Sequence, residues 1–374
     1  MHEAIRVFVG TYTSPIAPDL DPVPGTQATG VYVFSFDSDT GDLRQTSAPA
    51  PSTNSSFLAL DRSARYLYAV NEVASLRGEP GGTVSAFSVS PASGELTRAG
   101  TVSSGGVGPC HIALAADESS LIVSNFLDGS LSRIPLPGAG RLSEPAQIIR
   151  HEGSSVHPTM QTRAHAHMAI TDPLTGIVYV PDLGADRIFA YTWSADASLV
   201  AEESLSIRAA AGAGPRHMDF GKDARCAYVI NQLDSTISVL ARDDEDGRKL
   251  AERQIVSTLP QGYTGSNDAA AIQVHPSGRF VYASNRGHDS VVIYAVDPET
   301  GALEWLGHVP CGGKTPRHMA FDPEGRNLLV ANHDSDTIAV FRVDSRTGSL
   351  EEIRRCSTPA PACIVASDYR SRSE

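Results

Sequence analysis

The chain has 374 residues, a length that admits two or three ordinary domains or one large repetitive one. With 32 Gly, 24 Pro, 41% hydrophobic and 20% charged residues, its composition is turn-rich and globular rather than disordered. Acidic residues outnumber basic ones 43 to 30, and the net charge of −13 argues against a nucleic-acid partner unless positive charge is gathered locally. Five cysteines, an odd number without a CxxC pair, point to a reducing compartment rather than a disulfide framework. The N-terminal MHEAIRVFVGTYTS has no basic stretch followed by a long apolar run, and no run of eighteen apolar residues occurs anywhere. The expectation is a soluble cytoplasmic protein with no membrane partner.

Along the chain, short runs rich in Val, Ile, Tyr and Phe alternate with Gly, Pro, Asp, Asn and Ser, without a sustained helical period, so the reading is all-β. RVFVGT, GVYVFSF and DLRQTS come first and resemble the second, third and fourth strands of a repeat whose first strand is missing. SFLALD, CHIALA, AHMAIT, RHMDFG, AAIQVH, RHMAFD and ACIVAS then superpose on Leu58, Ile112, Met168, Met218, Ile272, Met319 and Ile364, at intervals of 54, 56, 50, 54, 47 and 45. A second run ends 13 residues after each of the first six landmarks, at Asn71, Asn125, Asn231, Asn285 and Asn332, with an offset of 14 at Asp182. A third run and a turn such as DPETGAL lead to a fourth, and four strands per repeat of about 50 residues is propeller arithmetic.

The expected fold is a single seven-bladed β-propeller of four-stranded antiparallel blades. Their spans are about 5–51 plus 360–369, 54–105, 108–153, 163–212, 214–261, 267–313 and 315–358, the N- and C-terminal strands closing one blade. Separate β-sandwiches would not explain motifs that match across the chain. Trp193 and Trp305 precede Ser194 and Leu306, so no WD dipeptide supports a WD40 reading, and kelch glycine pairs are missing. Insertions fall at 12–29, 73–82, 150–163 and 259–267, where repeat proteins place binding loops.

In a propeller blade the start of the first strand and the end of the second share one mouth of the central channel. The first strands bring Ser56, Cys110, Ala166, Arg216, Ala270, Arg317 and Ala362 there, next to Phe57, His111, His167, His217, Ala271, His318 and Cys363. The second strands bring Glu72, Phe126, Leu183, Gln232, Arg286 and His333, with Tyr12 as the first-blade equivalent. Arg216, Arg286 and Arg317 on an otherwise acidic chain suit a small anion, because guanidinium pairs with carboxylate or phosphate and can stabilise an oxyanion. The competing reading is that the arginines of the two PRH motifs tie blades together through carbonyls. His165 and His167 are candidate proton carriers. HxH on a strand also suits a metal, but no further ligand spacing accompanies it, and none is expected. His217 and His318, with His111, recur in register and can serve either substrate or inter-blade bonding. Glu72 is a base or a partner for a channel arginine, Gln232 positions but takes no proton, and His333 lines the mouth. Met168, Met218 and Met319 belong to the core. No P-loop, GxGxxG, GxSxG or HExxH motif is present, so no cofactor is expected.

VGTYTS at 9–14, YAVNE at 68–72, HAH at 165–167, GPRH at 214–217, YVINQLDS at 228–235, FVYASNRGHDS at 280–290 and the PRHMAFDPEGR to LLVANHDSDT stretch at 316–337 together resemble the seven-bladed lactonase family. That family includes propeller-type 6-phosphogluconolactonase and fungal carboxy-cis,cis-muconate cyclase. The resemblance implies catalysis by a histidine of HAH with Arg216 and Arg286. It also implies a glutamate where this chain has Gln232. The implied function is opening of an anionic sugar lactone by water. A muconate-type lactonising cyclase and a non-catalytic propeller binding a metabolite or partner protein are the alternatives.

Overall fold

A computed structural model describes residues 5–16, 27–76, 78–138, 140–243 and 247–367; most of the 12–29 insertion and the end of the closing segment, 368–369, lie outside them. Among the described residues the strands form seven sheets arranged as propeller blades, plus a hairpin of Ser75–Leu76 and Glu79–Pro80 in one of the expected insertions. The innermost strands are Leu58–Leu60, Pro109–Leu114, Ile170–Thr171, Pro215–Phe220, Asp268–Val274, Pro316–Phe321 and, from the far end of the chain, Pro361–Ser367. Pro361–Ser367 pairs antiparallel with Ile5–Thr11, with Arg6 opposite Ser367 and Gly10 opposite Cys363, so blade 1 is stitched from both ends.

The alternation of β-branched and aromatic residues makes both faces of each blade apolar, and every face is covered by a neighbour. Seven buried clusters each join two adjacent blades. Phe8, Val33 and Cys363 of blade 1, for example, meet Leu67, Ala69 and Phe87 of blade 2, while Val7, Phe34 and Ile364 meet Leu329 and Val340 of blade 7. Met218 and Met319 lie in this core as expected, and Met168 packs beside it.

The Asn landmarks end each second strand for a physical reason. Asn231 donates to Thr236 and Ser238, Asn125 to Ser130 and Ser132, and Asn332 to the Cys311 carbonyl, so a buried side-chain amide holds the blade's hairpin or the connection from the blade before. Blade 4 carries Asp182 at this position and uses it differently, as described below.

The start of the first strand is bulged in most blades. Pro215, Arg216 and His217 span two partners, Asn231 and Ile230, and the same shift occurs around Cys110, Ala270, Arg317 and Ala362. A bulge interrupts the strict alternation of faces. Arg216 and His217, neighbours in sequence, therefore both reach the channel.

Candidate active site

The channel wall is built from aromatic and imidazole rings. Phe57 of blade 2 packs on His111 at 4.1 Å between ring centroids and meets His217 and His318 edge-on, while His167 lies 5.2 Å from His217. All four histidines are pushed down, first by burial and then by nearby positive charge, to about 3 for His111 and His318. They are neutral at pH 7. His318 accepts from the Ile364 amide at 3.2 Å and His111 faces the Ala169 amide at 3.4 Å, so these two bond between blades. This inter-blade bond uses one ring nitrogen of His318, which also lines a small channel pocket with Arg216, His217 and Arg317.

Above this wall stand the arginines. Arg216 is 2% exposed, donates to the Ala270 carbonyl at 2.5 Å and abuts the His217 ring. Burial and then the proximity of Arg286 and Arg317 lower its pKa well below the usual value. No carboxylate lies within ion-pair distance of Arg216 among the described residues, and its Nε has no hydrogen-bond partner. The carbonyl contact realises the inter-blade role considered for the PRH arginines, yet it uses only part of the guanidinium. Arg286 donates from Nε to the Asp268 carbonyl at 3.3 Å.

Arg317 has a different setting. It donates to the Tyr12 hydroxyl and stands 4.0 Å from Glu72, while Tyr12 donates to Glu72 Oε2 at 2.6 Å. Glu72 is thus engaged by a phenol and a guanidinium, which favours the partner reading over the base. His333 sits at this corner, edge-on to Tyr12 at 5.4 Å, with its Nδ1 2.6 Å from Asp334.

His165 and His167 diverge. His167 turns into the channel toward Cys110, and His165 stacks on Phe126 at 4.6 Å with its Nδ1 2.7 Å from the Phe126 carbonyl. A carbonyl only accepts, so Nδ1 carries the hydrogen and Nε2 keeps its lone pair. Burial lowers the pKa of His165, more than the Phe126 carbonyl and Asp182 raise it. Its backbone is held by Asp182, whose Oδ1 accepts from the amides of His165, Gly184 and Ala185 at 2.7–3.1 Å. Asp182 Oδ2 bonds His151 Nδ1 at 2.7 Å, and His151 Nε2 meets the Tyr191 hydroxyl at 2.8 Å. Among the described residues no group of three His, Cys, Asp or Glu side chains converges as a metal site.

Gln232 donates from Nε2 to Asp268 Oδ1 at 3.2 Å. Asp268 and His151 are absent from the residues singled out by sequence, which marked Asp182 only as a strand landmark. Asp268 lies just outside the six-residue motif used for alignment, and only its pairing with Arg286 places it at the mouth. A larger cavity of about 1070 Å³ opens on the opposite face, between the turns of blades 5 and 6 around Lys222, Arg242 and Arg279. None of the unpartnered buried polar atoms among the described residues lines it.

The fold and site define a seven-bladed propeller closed by its two ends, with buried arginines and a tautomer-fixed histidine at one mouth. A family model described as "Lactonase, 7-bladed beta-propeller" matches residues 6–366. The chain belongs to the seven-bladed β-propeller lactonase family. It is 33% identical over 320 residues to a 6-phosphogluconolactonase of Formosa agariphila, covering 84% of this chain and 86% of that one. A 6-phosphogluconolactonase of Bacillus subtilis is 30% identical over 315 residues, covering 84% of each. The solved structure of a periplasmic gluconolactonase of Pseudomonas aeruginosa superposes with a TM-score of 0.89 at 30% identity, covering 98% of this chain and all of that one.

Proposed function

We propose that the protein is a lactone hydrolase acting on an anionic sugar lactone, with 6-phosphogluconolactone the first substrate to test. The observation that carries this reading is Arg216, a nearly inaccessible cation beside two others with no carboxylate of its own. Burying such a charge costs several kcal/mol unless an anion compensates, and a substrate or a developing oxyanion is that anion.

In the proposed reaction a water oxygen bonds to the ring carbonyl carbon while His165 Nε2 takes the water proton. Arg216 stabilises the resulting tetrahedral oxyanion. The bond from that carbon to the ring oxygen then breaks, and the proton on His165 passes to the leaving oxygen, giving an open-chain hydroxy acid. Arg286 and Arg317 hold the phosphate or carboxylate substituent, with Glu72 and Tyr12 fixing Arg317. His217 forms the floor beneath, and His333 completes the edge. Metal and cofactor enter no step.

The test is turnover of purified protein on phosphorylated and unphosphorylated sugar lactones and on carboxymuconate, with and without chelator. Hydrolysis that survives chelator and falls about 10²- to 10³-fold in kcat in Arg216→Ala is the expected result. Cyclisation of the muconate alone would replace the hydrolase with the lactonising reading. Turnover lost in chelator would overturn the metal-free mechanism, and turnover unchanged by Arg216→Ala would remove the oxyanion assignment.

A further inference from the structure

We infer that Asp268 and Gln232 form a hydroxyl-recognition subsite, which makes a polyhydroxylated lactone, and not an unhydroxylated polyacid, the substrate class of this mouth. The inference rests on the lactonase reading and adds a discrimination to it.

Asp268 opens the first strand of blade 6, directly opposite Arg286, and two residues before Ala270, whose carbonyl receives Arg216. It therefore stands between two of the three arginines. The residue is half-buried. Its sole side-chain hydrogen bond among the described residues is the one from Gln232 at 3.2 Å, and no Arg or Lys nitrogen forms an ion pair with it there. An ionised carboxylate has about four acceptor positions and no donor. One position is used, so the pair presents a fixed acceptor beside the donors of Arg216 and Arg286. Sugar hydroxyls supply the donors such a group needs. A second carboxylate does not, and a muconate-type polyacid placed here would meet like charge.

The same contact accounts for an amide at position 232. A glutamate there would bring two carboxylate oxygens to about the 3.2 Å that separates Gln232 from Asp268, where like charges cannot both stay ionised. With Asp268 in place, glutamine is the compatible partner.

The test compares glucono-1,5-lactone with δ-valerolactone, the same ring without hydroxyls, in wild type, Asp268→Asn and the exchange variant Gln232→Glu with Asp268→Asn. Asp268→Asn should lower kcat/KM on gluconolactone about 10- to 100-fold, through KM, and leave δ-valerolactone within about twofold. The exchange variant should regain most of the loss, because it returns one carboxylate to the pair. Equal losses on both lactones, or none on either, would overturn the subsite. If wild type opens neither of these uncharged lactones, the hydrolase reading still turns on 6-phosphogluconolactone. Calorimetric binding of gluconate against hexanoate then decides the subsite alone: a preference for gluconate erased by Asp268→Asn sustains it, and an unchanged preference, or none in wild type, ends it.

Discussion

His165 shows how one neighbouring residue fixes the tautomer and plane of an imidazole. The Phe126 carbonyl takes the hydrogen on Nδ1, and the stacked ring of the same residue fixes the plane, so Nε2 has one orientation and an available lone pair. Burial lowers the pKa below 6.5, which means that the neutral form persists to lower pH than in an exposed imidazole. The acid limb of the kcat/KM profile is therefore expected below pH 6.5, and a limb above that value would point to another base. His165→Ala should cost about 10²- to 10⁴-fold in kcat. Of the candidate residues, the three arginines and His167 could be gathered from the sequence because the strand repeat brings them near one another. Asp268 could not, since its meaning depends on which side chain lies across the strand pair.

At the scale of the element, blade 4 departs from its neighbours. Where other blades use an Asn amide to hold a hairpin or connection, Asp182 gathers three backbone amides and His151 with no solvent access. The segment before Asp182 forms only one isolated ladder contact, Ala166 to Asp182, before regular pairing begins at Ile170. A buried carboxylate thus replaces the missing ladder as the support of the HAH segment. Asp182→Ala leaves several buried donors without an acceptor, each worth about 1–3 kcal/mol. The denaturant midpoint should drop by the equivalent of about 3 kcal/mol or more, with activity falling too. Asp182→Asn keeps an acceptor oxygen and should lose less. The offset of 14 residues at Asp182 was the signal in the sequence that blade 4 is irregular. Nothing in the spacing tells what the irregularity holds, because His151 comes from the preceding blade's outer edge.

For the whole molecule, stability resides in seven inter-blade seams, and the seams flanking blade 1 depend on Pro361–Ser367 pairing with Ile5–Thr11. A chain ending at residue 360 exposes the edge of Ile5–Thr11 and uncovers Val9 and Phe8. It should lose cooperative unfolding and aggregate, as read by thermal melting and light scattering. The histidine wall adds a pH response. The unfolded chain binds protons near 6.5, whereas folded His111 and His318 do so near 3, so the unfolded state holds more protons between these values. Stability is intact above about pH 6.5 and is lost progressively as pH falls toward 3. The melting temperature should accordingly decline from pH 7 to pH 4.5, and no decline over that range would contradict the buried neutral wall.

The repeat of strand and landmark was enough to determine the propeller, its closure by the termini and the mouth at which polar residues collect, because each blade is locally encoded and can be aligned on its own. The tertiary structure decided what that periodicity cannot carry. The bulges turn Arg216 and His217 to the same channel, Glu72 is claimed by Tyr12 and Arg317, and Asp268 meets Gln232. The last two relations join residues from neighbouring blades, and their physical basis is distance and charge rather than order along the chain.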